Sequence, residues 1–458
     1  MAYQTINPYT NELVKAYPNA SDADLEKALA TGHALYKQFR NEEPASRSAA
    51  LHRVADEMRK DEDSLAATIT TEMGKLIGEA KAEVELCANI ADYFADHGAE
   101  FLQPTPLTTP AGKAYYAKQA VGIIMMVEPW NFPYYQIMRV FAPNFMVGNP
   151  MILKHAHNTP ACAEAFEDVL RKADVPEGSL KNLFLDYDQV DKAIADPRVA
   201  GVALTGSERG GASVAKSAGE HLKKSTMELG GNDAFIILDD ADWDLVKQVA
   251  PQARLGNAGQ ICSASKRFIV VGDKYDDFVD FMKTAFAKVQ PGDPMDPSTT
   301  LAPLSSAKAK AHLQQQVDAA IAAGAKVEYG NTPIDSKGAF FQPTILTNID
   351  RNNPVYNQEL FGPVASIYHV ATEEEAIELA NDSSYGLGSV VFSKDAAHAD
   401  KVAQQIEAGM TFINMSWTTA PELPFGGVKN SGYGRELYQL GLNAFVNEHL
   451  IMSALAKD

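Results

Sequence analysis

Three separated segments supply a cysteine, a glutamate and an asparagine in settings that suit acyl chemistry. Cys262 closes the run Asn257-Ala258-Gly259-Gln260-Ile261-Cys262, and Gly256 stands just before it. Glycine permits close backbone approach, and asparagine adds turn character. A thiolate on such a loop can attack a carbonyl carbon while its own backbone N–H faces the oxygen. A lone cysteine is usually a small buried apolar group, so the loop is what singles out Cys262. Glu228 sits in Met227-Glu228-Leu229-Gly230-Gly231-Asn232 with few charged neighbours. A carboxyl group held there would keep its proton to higher pH and could act as a general base. In Glu128-Pro129-Trp130-Asn131-Phe132-Pro133, Asn131 can offer a side-chain N–H to a developing oxyanion, and the flanking prolines would hold it.

A fourth segment, Leu204-Thr205-Gly206-Ser207-Glu208-Arg209-Gly210-Gly211, precedes a helix expected from Ala212. Strand, turn and helix in that order suit a phosphate at the helix N-terminus. Gly206 and Gly211 match neither the dinucleotide fingerprint nor the Walker loop. Glu359–Val364 and Pro424–Glu436 are rich in glycine and aromatics and read alone as turn chemistry.

The elements that must position these residues alternate. Ser21 to about Gly98 reads as helical, with Ser21 and Asp24 as an N-cap. Strands are expected at Val121–Val127, Met151–Leu153, Leu183–Leu185 and Gly201–Leu204, with helices at Pro160–Lys172 and Gln189–Ala195. A second series has strands at Ala234–Leu238, Arg267–Val271, Ser389–Ser393 and Thr411–Asn414. Its helices are Leu245–Leu255 and Lys308–Ala323. This rhythm indicates doubly wound α/β structure. Thr105–Gln119 resembles an exposed hairpin and Phe445–Met452 a lightly covered strand. Both are candidates for an oligomer interface, or simply loop and frayed tail.

The chain has 458 residues, which suggests roughly three structural units. Its formal charge of −19 lacks the footprint for nucleic acid or anionic membranes. Three cysteines, Cys87, Cys162 and Cys262, are far apart. Their spacing argues against a disulfide framework and a metal site, and for a reducing compartment. The N-terminus lacks a signal-peptide pattern, and no apolar run reaches the roughly 20 residues of a membrane span. A cytoplasmic protein is expected.

Together the segments resemble the aldehyde dehydrogenase superfamily. The matching motifs are PWNFP at 129–133, LTGSERGG at 204–211, MELGG at 227–231, NAGQIC at 257–262, ELFGPV at 359–364 and PFGGVKNSGYGRE at 424–436. The resemblance implies an α/β fold with a Rossmann-like cofactor domain (1–104 and 120–228) and a catalytic domain (229–444). A small β oligomerisation element (105–119 and 445–458) would make a homodimer or homotetramer. It implies that Cys262 attacks an aldehyde, that Asn131 and the Cys262 N–H hold the oxyanion, and that Glu228 activates water on the thioester. Trp130, Lys154, Thr205, Gly206, Ser207, Gly211, Leu229, Glu359 and Phe361 would line the site of NAD or NADP.

Three departures refine this reading. Where the family often has Lys-Pro-Ser-Glu, this chain has Lys154-His155-Ala156-His157. A glutamate there would repel a 2′-phosphate and histidine would not, so NADP is expected over NAD, with Lys154 and His157 near the phosphate. Members that oxidise succinate semialdehyde carry arginine at the position of Arg139, where it can grip a distal carboxylate or instead form a structural ion pair; Thr418 and Thr419 would add hydroxyls. A second arginine frequent in those members is Gly256 here. Asn232 replaces the usual lysine of ELGGK. The alternatives are a broad-specificity or betaine-type dehydrogenase, a CoA-acylating relative, and a non-catalytic relative. CoA-acylating members commonly lack the glutamate at the position of Glu228.

Overall fold

The computed structural model describes residues 3–454. Residues 1, 2 and 455–458 of the expected units lie outside the described residues. The helical stretch is four helices: Asp22–Phe39, Ala45–Lys60, Glu62–Met73 and Ile77–Phe101. Ser21 and Asp24 form a reciprocal cap, each side chain accepting from the other's backbone N–H. Such a cap contributes about 1 kcal/mol.

The first sheet holds five parallel strands: Ile123–Glu128, Met151–His155, Leu180–Asn182, Val199–Thr205 and Lys224–Glu228. Ile123–Glu128 lies between Met151–His155 and Val199–Thr205. The chain starts in the middle, steps outward to Leu180–Asn182, then returns to the other side and ends at Lys224–Glu228. Ligands bind beyond the carboxyl ends of strands at such a reversal. Ile123, Ile124, Met125 and Met126 are fully buried, as a central strand covered on both faces requires. Each contributes about 1.5–3 kcal/mol through burial. Gly432–Tyr433, from the segment expected in the second unit, adds an antiparallel edge strand beside Lys224–Glu228.

The second sheet has seven strands. Asp233–Ile237 lies between Ser265–Val271 and Gly388–Phe392, so the order reverses there too. Thr344–Thr347, Val364–Val370 and Met410–Ile413 extend it in parallel, and Lys326–Tyr329 is an antiparallel edge. In a third sheet, Gly112–Ala120 pairs with Thr105–Leu107 and with Val446–Ala454. The expected hairpin and C-terminal strand are therefore one antiparallel sheet. Leu107, Tyr115, Leu450 and Met452 are exposed on it.

Two local expectations need correction. Leu183–Leu185 is not a strand; the ladder uses Leu180–Asn182, while Leu183 and Leu185 pack into the core over the sheet. The helix expected from Ala212 starts at Glu208. Gly210 and Gly211 form its first turn instead of a loop, because Ser207 caps the helix by accepting from Gly210 N–H. No helix among the described residues is long and apolar enough to cross a membrane.

Candidate active site

The turn carrying Asn131 is fixed from the helix Ile77–Phe101 and the loop before it. Glu83 accepts from the backbone N–H groups of Tyr134 and Tyr135, at 2.9 and 3.1 Å. These donors are free because they open the helix Pro133–Val147. The other Glu83 oxygen pairs with Lys75 at 2.5 Å, both side chains fully buried. The Lys75 ammonium lies 3.6 Å from the centre of the Phe132 ring, a favourable cation–π contact.

One turn earlier, Glu79 accepts from Asn257 N–H at 3.0 Å. Asn257, Ala258 and Gly259 are three successive left-handed residues, with φ of 50°, 51° and 76°. That conformation costs alanine roughly 1–2 kcal/mol, so contacts must hold it. Asn257 Nδ2 donates to Asn131 O at 2.9 Å, and Asn131 Nδ2 donates to Gln260 O at 3.1 Å. A Cβ at Gly259 would strike the Gly362 backbone. The asparagine turn and the cysteine loop are thus tied directly to each other.

They open onto a cleft of about 690 Å³ between the two sheets' loops. It brings together Trp130, Asn131, Cys262, Glu359 and Phe361 with Thr205, Gly206, Ser207 and Leu229. Trp130 and Phe361 meet edge to face, 5.7 Å between ring centres. Glu359 accepts from Gly231 N–H at 3.1 Å and pairs with Lys266 at 3.1 Å. Gly211 does not line the cleft; it packs against the Leu229 side chain from behind.

Lys154 lies at the same carboxyl edge, beside Val127 in the ladder. Its ammonium donates to His155 O at 3.1 Å, and no carboxylate pairs with it among the described residues. Burial pulls it down to about 8. His157 is exposed two residues on, within electrostatic reach of Lys154 and Lys308. The Lys154 and Lys308 cations suit a phosphate, while burial and both lysines pull His157 down, toward the neutral ring. Among the described residues, no group of His, Cys, Asp or Glu could hold a metal ion.

Burial pushes the Cys262 thiol up to about 12; Lys266 and Arg139 pull it back, and Glu359 and Asp233 oppose them. Glu228 ends its strand directly opposite Thr205 in the ladder. It is buried behind the cleft, and neither carboxylate oxygen has a hydrogen-bond partner. Burial holds its proton well above the usual carboxylate range, and Glu436 adds to this while Arg139 and Arg435 oppose it. Glu128, also buried, is raised by the same burial and by Glu436. Three carboxyl groups therefore crowd around one guanidinium, and they cannot all ionise together.

Arg139 is 1% exposed and forms an ion pair with Glu436, the structural alternative open to it in the sequence. It also donates to Thr205 Oγ1 at 3.1 Å and, more weakly, to the Tyr135 hydroxyl at 3.4 Å. Burial opposes its charge, and Glu436 overcomes that and keeps it protonated. The partner sits at the end of the glycine-rich Pro424–Glu436 segment, so no local pattern announced the pair. Thr419 is linked to this group, since its hydroxyl lies 2.8 Å from that of Tyr135. Thr418 is half-buried beside it.

Sequence reasoning missed Lys266, Glu79, Glu83, Glu128 and Glu436. Each is charged and buried or half-buried. The one available signal was charge inside apolar runs, as in Ser265–Val271.

A family model described as "Aldehyde dehydrogenase family" matches residues 1–451. A succinic semialdehyde dehydrogenase from Streptococcus pyogenes, solved with NADP+ as the cofactor, is 57% identical. It superposes with a TM-score of 0.98 over 99% of this chain and 100% of that one. An NADP(+) succinate-semialdehyde dehydrogenase of Deinococcus radiodurans is 46% identical over 100% of this chain and 96% of its own. One from Mycobacterium avium is 42% identical over 100% and 98%. The chain belongs to the aldehyde dehydrogenase family, with that family's α/β fold.

Proposed function

We propose that this protein oxidises succinate semialdehyde to succinate with NADP. The observation that carries the reading is the meeting of Cys262, Asn131, Glu359 and Phe361 in one cleft. The Cys262 thiolate adds to the aldehyde carbon, and the carbonyl electron pair moves to oxygen. Asn131 Nδ2 and the Cys262 backbone N–H stabilise that oxygen. NADP, when bound, supplies the hydride acceptor, and loss of hydride turns the adduct into a thioester. Glu228 takes a proton from water as the water oxygen attacks the thioester carbon. The C–S bond then breaks, succinate leaves and the thiolate is restored.

The parallel sheet of 123–228 forms the cofactor unit in this reading. Glu359 would hold the nicotinamide ribose, and Phe361 would pack near the ring. Lys154 and His157, with Lys308 in reach, favour NADP because no acid among the described residues is paired with them to repel a 2′-phosphate. The distal carboxylate of the substrate would meet the hydroxyls of Thr418, Thr419 and Tyr135, with Arg139 one contact behind them. The exposed edge of the three-stranded sheet would pair with a second copy of the chain.

The test is an aldehyde panel with both cofactors, followed at the nicotinamide absorbance. The highest kcat/KM is expected for succinate semialdehyde with NADP, and His157→Glu should shift preference toward NAD. Preference for an uncharged or cationic aldehyde overturns the substrate assignment. Wild-type preference for NAD overturns the cofactor assignment.

A further inference from the structure

Lys266 is the second residue of the strand Ser265–Val271, and its side chain is 2% exposed. Its ammonium donates to Ile261 O at 2.7 Å and to Cys262 O, and it pairs with Glu359 Oε1 at 3.1 Å. All three of its protons are committed. Two of the acceptors are the last carbonyls of the cysteine loop, and the third is the carboxylate aligned on the cleft. The Cys262 carbonyl is also backed by Gly231, where any side chain would collide with it.

We propose that Lys266 is a positioning residue: it fixes the Cys262 loop and the Glu359 carboxylate to one ammonium and supplies the positive charge that favours the thiolate. This rests on Cys262 being the nucleophile. The charged groups facing Cys262 are Lys266, Arg139, Glu359 and Asp233. Lys266 is the foremost cation among them, and it also opposes the rise of Glu359 and Asp233. Removing its charge should hinder thiol ionisation. It should also free Glu359 to move, which would be read as a higher KM for the cofactor.

The folded chain offers one thiol to iodoacetamide, because Cys87 and Cys162 are fully buried. Alkylation rate against pH therefore reports ionisation of Cys262. Lys266→Met should move the profile up by about one pH unit, roughly a tenfold slower reaction at neutral pH. It should also raise KM for NADP, while Lys266→Arg keeps the wild-type profile. Should the methionine variant not fold, Glu359→Gln gives a second reading. That change removes an acid and leaves the cation, so the profile should move down. A profile unmoved in Lys266→Met, or moved up in Glu359→Gln, overturns the proposal. Loss of turnover on alkylation of Cys262 tests the nucleophile assignment separately.

Discussion

Two buried charge clusters adjoin the helix Pro133–Val147, one at its N-terminus and one at Arg139, and they are built differently. In the first, Lys75 and Glu83 are one cation and one anion. Every Glu83 oxygen is engaged, by Lys75 or by two backbone N–H groups. In the second, Glu128, Glu228 and Glu436 share Arg139, and Glu228 has no hydrogen-bond partner. A matched cluster holds backbone in place and has nothing left to offer. A cluster with excess carboxyl groups stores protons that must go somewhere when conditions change. The first is scaffold; the second is poised for chemistry.

The sharpest way to break this contrast is to neutralise one acid in each. Glu228→Gln should lower kcat roughly a hundred- to ten-thousand-fold, with the melting temperature unchanged or higher. Steady-state rates and a thermal melt check both halves. Glu83→Ala should do the reverse. It strands Lys75 and two helix N–H groups, a loss of about 3–5 kcal/mol, seen in denaturant unfolding. A Glu83→Ala protein of wild-type stability would erase the distinction.

Smaller effects refine it. Glu436→Gln removes the charge that helps raise Glu228 and frees Arg139 to oppose it. The acid limb of kcat against pH should therefore shift lower, by about one unit. The smallest effect concerns stability. The folded chain holds the Glu128 proton to higher pH than the unfolded chain does. Raising pH above the ordinary carboxylate range thus favours unfolding, and this contribution is fully present only below that range. Glu128→Gln should flatten the decline and gain about 1 kcal/mol at pH 8 in urea unfolding curves.

The cleft residues were legible in sequence because contiguous motifs present them. Asn131 is framed by prolines and Cys262 follows three turn residues, so local pattern and final position agree. Most strands were legible too, since buried parallel strands are apolar runs. Leu183–Leu185 was misread for that same reason: an apolar triplet can serve a core without joining a ladder. For Arg139 the choice between substrate grip and ion pair was not legible, because its partner Glu436 lies far along the chain and composition cannot show who neutralises whom. Glu79 and Lys266 were invisible because each acts on backbone atoms, which carry no residue identity.

The Glu79–Asn257 contact has a mechanical consequence. Glu79 belongs to the helical layer that braces the Asn131 turn, whereas Cys262 leads into a strand of the second sheet. With Asn257 also bound to Asn131 O, the segment before the thiol is anchored to the helical layer. Lys266 holds the carbonyls of Ile261 and Cys262 to the second sheet. The cysteine loop is thus a clasp between the two layers, and any shift of one against the other would load it from both ends.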